Sequence, residues 1–198
     1  MTGHPRFQAI YERLAQDDSL FHEWHGVLFR FQSVEYPQPG DVLSGAGAKW
    51  RGGRWNAPGF AAVYGSTTDE TALDECKAHD RYYGVETLSP RLLVAVEARL
   101  ERVLDLTSAG VRRKLGLTVH VWTEEDWRQM QEAGRESLSQ AIGRAAYEAG
   151  GHGLLAPSSA VRGGVNGVVF PVRLGIHERL AVIEGEKLEQ WKRNEKTC

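Results

Sequence analysis

Cysteine is scarce in this chain: two in 198 residues, Cys76 within a helical stretch and Cys198 at the end. One distant pair makes no disulfide framework, so the fold rests on apolar burial, as suits a reducing cytoplasm. Basic charge is not in excess either, with 24 Lys and Arg against 26 Asp and Glu and a net charge of −2. That balance argues against a bulk electrostatic grip on nucleic acid or anionic lipid and leaves room for local basic pockets. No run approaches 18 uninterrupted apolar residues. The opening MTGHPRFQAIYERLAQDD lacks the uncharged apolar stretch of a signal peptide. A soluble cytoplasmic protein without a membrane span is therefore expected.

Several familiar motifs are missing as well. The GAGAKW segment offers glycines and a lysine, but Trp50 stands where a P-loop needs its hydroxyl. No GxGxxG follows a strand, and no GxSxG elbow supplies a nucleophile. His22 and His25 in HEWH are the only histidines close in sequence, and no third ligand is visible, so no metal site is expected. The single RGG at 51–53 lacks the repetition and basic surroundings of RNA-binding segments.

What is present suits one domain spanning 1–198 with a core at about 26–171. A chain of this size buries roughly 70% of its unfolded surface. Phe7, Ile10 and Leu14 mark a short helix over 6–16. A strand is expected at 26–31, then an irregular Pro- and Gly-rich segment over 36–59. A short strand at 61–64 leads into a helix reaching about Tyr82, with Thr67 as N-cap and Glu70 completing a capping box. Strands at 92–96 and 103–106, helices near 123–133 and 137–149, and strands at 153–156, 165–170 and 180–183 follow. The charged tail 184–198 reads as helical or frayed. Strands at both ends with helices between indicate an α+β fold.

Four features break the local pattern. Arg30 interrupts the apolar strand VLFRF, as an ordinary surface arginine or as a strand-mounted fork for a carboxylate, phosphate or ribose. Glu75 lies about 60° from Ala72, at the edge of a helix face shared by Ala72, Cys76, His79 and Tyr83. It fits a satisfied boundary carboxylate or a group that stabilises a developing cation. The cluster from Lys49 to Asn56 sets Arg51 and Arg54 among glycines and tryptophans, as a surface loop or as a diphosphate cradle with an aromatic stacked on a base. Pro157-Ser158-Ser159, with Gly163-Gly164-Val165-Asn166 beyond it, is at minimum a hydroxyl-capped turn.

The order of these motifs resembles the RES domain, a family named for an arginine, a glutamate and a serine. The similarity runs from about Gly26 to Pro171 through LFRFQS, GGRWNAPG, VYGS, ALDE and PSSAVRGGVNGVVFP. The resemblance implies an ADP-ribosyltransferase-like fold, with two small packed sheets and flanking helices around an NAD⁺ cleft. It implies a toxin that breaks the nicotinamide–ribose bond of NAD⁺ by hydrolysis or phosphorolysis, with NAD⁺ as substrate and no cofactor. Its partner would be an Xre-like antitoxin. By the same resemblance Arg30, Glu75 and Ser158 are the catalytic set; Arg51, Arg54, Tyr64 and Asn166 would bind NAD⁺. Phe29 replaces the tyrosine often found before the first arginine, and PSSAVR displaces the arginine that commonly follows PSxR, leaving no role assigned to Arg162. Transfer of ADP-ribose to a protein is the alternative chemistry. A non-catalytic nucleotide- or RNA-binding module is the alternative of another class.

Overall fold

The computed structural model describes residues 1–84, 90–188 and 190. Most of the tail expected to be helical or frayed lies outside the described residues. Helix α1 (Phe7–Gln16) buries Ile10 and Leu14 and leads into strand β1 (Phe21–Ser33). Two short helices, α2 (Pro39–Leu43) and α3 (Ala46–Arg51), occupy part of the segment expected to be irregular. Strand β2 (Val63–Ser66) precedes α4 (Asp69–Tyr82), and β3 (Arg91–Asp105) follows. Helices α5 (Ala109–Lys114), α6 (Val119–Thr123), α7 (Trp127–Glu132) and α8 (Leu138–Glu148) come next. Strands β4 (Gly153–Pro157), β5 (Val165–Val169) and β6 (Arg179–Val182) complete the fold. No helix among the described residues is long and apolar enough to cross a membrane.

The strands form one sheet, where two packed sheets were expected. Its order is β1-β2-β5-β4-β3-β6, and β1 also pairs with β3, which closes five strands into a small barrel and leaves β6 on the flank of β3. Closure follows from strand length. Instead of two short strands at 92–96 and 103–106, β3 is one 15-residue strand, and β1 is 13 residues long. They pair antiparallel from Phe21↔Leu104 to Ser33↔Arg91, and the far end of β3 then meets β4 in parallel. HEWH lies in β1, not on a helix, and His25 Nε2 is 3.5 Å from a Glu97 carboxylate oxygen.

Leu28, Val63, Ala98, Leu100, Val103 and Val169 pack together on the barrel side of the sheet. Leu28 needs the space left by a missing side chain: a Cβ on Gly167 would come 2.6 Å from its Cδ2. On the other face Leu104, Leu154, Ala156, Val168 and Phe170 meet Ile10 and Leu14 of α1 and Leu138, Ile142, Ala145 and Ala146 of α8. Helix α8 begins with a reciprocal capping box between Ser137 and Gln140.

The entry to α4 differs from expectation by one residue. Thr67 still belongs to the sheet edge, its backbone N–H donating to Val165 O at 2.9 Å. Thr68 therefore becomes the N-cap and accepts from Thr71 N at 3.2 Å. The inward stripe of α4 is more polar than its sequence pattern suggests. Thr71, Ala72 and Asp80 are buried, whereas His79 and Tyr83, expected on the apolar face, are exposed.

Candidate active site

Residues paired across a sheet project from the same face. Tyr64 pairs with Val168, and Ser66 pairs with Asn166, so Tyr64, Ser66 and Asn166 all project toward the helix-covered side. Helix α4 crosses near this edge and delivers Glu75. Glu75 Oε1 accepts from Asn166 Nδ2 at 2.5 Å and from Ser158 Oγ at 2.7 Å. Asn166 is held in turn by Ser66 Oγ, which donates to its Oδ1 at 2.7 Å. Ser158 follows β4 directly and is fixed by its loop: its hydroxyl accepts from the N–H groups of Ala160 and Val161, and its own N–H donates to Gly164 O. Both anchors use one carboxylate oxygen. Among the described residues Oε2 takes no hydrogen bond, so an oriented carboxylate keeps one oxygen for a ligand.

Arg54 lies within electrostatic reach of this carboxylate and, among the described residues, forms no ion pair with it. Its Nη1 donates to Trp122 O at 2.9 Å and its Nη2 to Ser159 Oγ at 3.2 Å. Burial holds its pKa below the ordinary arginine value, with nearby Arg128 pushing the same way, while Glu75, Tyr64 and Asp126 oppose the shift. A desolvated guanidinium flanked by a carboxylate and a second guanidinium is primed for an anionic ligand.

The GGRWN segment that carries Arg54 is locked from below. Asn56 is fully buried; its Nδ2 donates to Ala48 O, Ala57 O and Phe60 O, and its Oδ1 accepts from Tyr64 Oη at 2.7 Å. Tyr64 Oη also accepts from Trp55 N, and burial raises its pKa well above the ordinary tyrosine value. The hydroxyl is thus an anchor rather than an acid, and the half-buried ring remains the part of Tyr64 suited to a ligand. From the other side Gln140 Nε2 donates to Gly53 O, and Gln131 Nε2 donates to Arg51 O. Gly143 lets α8 approach this loop, since a Cβ there would overlap Trp55 O. Asn56→Ala is expected to lower stability by about 3 kcal/mol, because it strands several buried polar groups. Chemical denaturation measures this; a loss below 1 kcal/mol would show the loop is held otherwise.

The remaining predicted residues, Arg30 and Arg51, make no side-chain hydrogen bond to the Glu75 cluster among the described residues. Arg30 neighbours Phe29, whose partner is Ser66, so it projects to the barrel side. There it donates to Val42 O at 3.2 Å. Its buried Nε has no hydrogen-bond partner among the described residues, and desolvation lowers its pKa to about 10. Arg51 ends α3 with an exposed side chain, and Arg162 is exposed on the β4–β5 loop. Trp55 is core, 2% exposed and edge-on to Trp122, so it is closed to a base. Sequence reasoning assigned no role to Ser66, Asn56, Ser159 or Arg128. The first three stood inside quoted motifs, whereas Arg128 had no local signal.

Among the described residues no group of three His, Cys, Asp or Glu is arranged to hold a metal. An open concavity lined by α5 and the residues through His120 shares no residue with the Glu75 cluster.

A small barrel that carries a doubly anchored carboxylate within electrostatic reach of a half-buried guanidinium defines a mixed α/β protein with a preorganised polar site. The RES domain model matches residues 27–188, and the chain belongs to the RES domain family. It is 30% identical over 154 residues to NAD(+) phosphorylase MbcT of Mycobacterium bovis, covering 74% of this chain and 73% of that protein. MbcT of Mycobacterium tuberculosis matches to the same extent. The crystal structure of the M. tuberculosis MbcT–MbcA toxin–antitoxin complex aligns with a TM-score of 0.65, covering 92% of this chain and 96% of that one at 23% identity. That likeness is one of fold.

Proposed function

We propose that this protein is a toxin that destroys NAD⁺ by cleaving its nicotinamide–ribose bond, acting in the cytoplasm and neutralised by an Xre-like antitoxin protein. The reading takes the barrel as an ADP-ribosyltransferase-like scaffold. The observation that carries it is Glu75, fixed by Ser158 and Asn166 through one oxygen while the other remains open beside Arg54.

The chemistry follows from the substrate. As the C–N bond breaks, its electron pair stays on nicotinamide, which leaves neutral, and positive charge develops on the ribose as in an oxocarbenium ion. No strong general acid is needed. Negative charge near the anomeric carbon is needed, and the open oxygen of Glu75 supplies it together with a hydrogen bond to a ribose hydroxyl. Arg54 holds the diphosphate, with Arg51 at the exposed rim, and the Tyr64 ring lies against nicotinamide. Phosphate then adds at the anomeric carbon, giving ADP-ribose 1″-phosphate and releasing a proton. The relatives' name, NAD(+) phosphorylase, supports phosphate over water as acceptor.

Arg30 enters as a group that positions ribose or phosphate with its unused donors. Arg30→Met is expected to leave the unfolding midpoint unchanged or raised, because a desolvated charge without an ionic partner is replaced by an apolar chain. It should lower kcat/KM for NAD⁺ about ten- to hundredfold. A large loss of stability with full activity per folded molecule would make Arg30 purely structural.

Expression in bacterial cells tests the whole reading. Cellular NAD⁺ should fall before growth stops. Growth arrest with NAD⁺ unchanged would reject it.

A further inference from the structure

The Glu75 cluster accounts for the reacting end of a dinucleotide and Arg54 for its middle, which leaves the far end unassigned. Tyr82 lies seven residues beyond Glu75 on α4, two turns along the same face and roughly 10 Å away. At that point α4 meets the start of α7. Tyr82 Oη donates to Asp126 Oδ2 at 3.2 Å, and Asp126 Oδ1 caps α7 through Arg128 N and Gln129 N. The Arg128 guanidinium carbon lies 4.4 Å from the Tyr82 ring centroid, 4.5 Å from Trp127 and 5.5 Å from Tyr83.

Three properties suggest a ligand for this cluster. Tyr82 and Tyr83 are 44% and 53% exposed and lie outside the apolar cores, so their rings offer faces to an incoming group. Arg128 Nε is buried without a hydrogen-bond partner among the described residues, an unspent donor beside those rings. Arg54, held by Trp122 O and Ser159 Oγ, lies within electrostatic reach of Glu75 and of Arg128 and Asp126. An anion between two guanidiniums would relieve their repulsion, and a flat base needs aromatic or guanidinium planes to stack on.

We propose that Tyr82, Tyr83, Trp127 and Arg128 form the subsite for the adenosine half of the substrate and make the protein select NAD⁺ over nicotinamide mononucleotide. This inference rests on the NAD⁺-cleaving reading above. Arg128 acts on the phosphate nearer adenosine, and Tyr82 and Tyr83 supply the stacking faces. The cluster takes over the base-stacking role that the tryptophans near Arg54 suggested in the sequence.

The test compares wild type, Tyr82→Ala, Tyr82→Phe and Arg128→Ala on NAD⁺ and on nicotinamide mononucleotide, with AMP as inhibitor. In Tyr82→Ala and Arg128→Ala the ratio of kcat/KM for NAD⁺ to that for the mononucleotide should fall about ten- to hundredfold. The AMP inhibition constant should rise by a similar factor, and Tyr82→Phe, which keeps the ring, should recover most of the selectivity lost in Tyr82→Ala. A merely structural latch between α4 and α7 would lower both substrates alike and leave the ratio and AMP inhibition unchanged; that result overturns the subsite. If wild type releases no nicotinamide, the reaction reading fails. Calorimetry with AMP then decides the subsite separately: binding by wild type that weakens in Tyr82→Ala supports it, and no binding rejects it.

Discussion

Glu75→Gln should reduce kcat for NAD⁺ cleavage about 10²–10³-fold while leaving KM within a few-fold. The substitution is nearly isosteric, and its amide oxygen still accepts from Ser158 Oγ and Asn166 Nδ2, so the β4–β5 loop and α4 keep their contacts. What disappears is the negative charge at the open oxygen, which matters only as the ribose becomes cationic. A split in which kcat falls and KM does not is therefore the signature of a transition-state role. Loss of binding at unchanged kcat would make Glu75 a substrate clamp and move the catalytic charge elsewhere. Thermal unfolding should show both proteins folded.

The second large effect is expected at Arg54. Arg54→Ala should raise KM for NAD⁺ about ten- to hundredfold, the range for losing a charge-assisted hydrogen bond. The side chain already spans Trp122 O and Ser159 Oγ, so its removal also loosens the loop that carries Ser158. A modest fall in kcat is expected with the rise in KM. Arg54→Lys should recover only part of the affinity, because an ammonium restores the charge and not the planar fork. An unchanged KM in Arg54→Ala would remove the diphosphate from this position.

Much of the fold was legible in the sequence because its elements carry strong local signals. The amphipathic spacing of Phe7, Ile10 and Leu14 gave α1, and the helical pattern near 137–149 gave α8 to within about a residue at each end. Barrel closure was not legible. It depends on β3 being one long strand that pairs with β1 along most of its length and with β4 at its end, and such pairing has no local signature. The expected N-cap Thr67 gave way to Thr68 because Thr67 N–H is engaged by a tertiary hydrogen bond to Val165, beyond the reach of any capping rule.

The candidate site was legible in part. Glu75 stood out as a carboxylate on the boundary of a helix face, and motif order joined it to Ser158 and Asn166, which the structure brings within hydrogen-bond distance. Of the two arginines offered for the diphosphate, Arg54 matches the GGRWN motif and is the more enclosed, whereas Arg51 is exposed. Arg30 takes the sheet face opposite to its neighbour Phe29, which pairs with Ser66, a placement that strand alternation fixes only once the register is known. Arg128 carried no local signal, because its contact with the end of α4 joins segments 46 residues apart in the case of Tyr82 and Arg128.

The central claim is tested most directly by incubating the purified wild-type protein, free of any antitoxin, with NAD⁺ and inorganic phosphate and separating the products by chromatography. The account predicts one nicotinamide released for each NAD⁺ consumed, with ADP-ribose 1″-phosphate as the second product. NAD⁺ left intact by folded protein would contradict it.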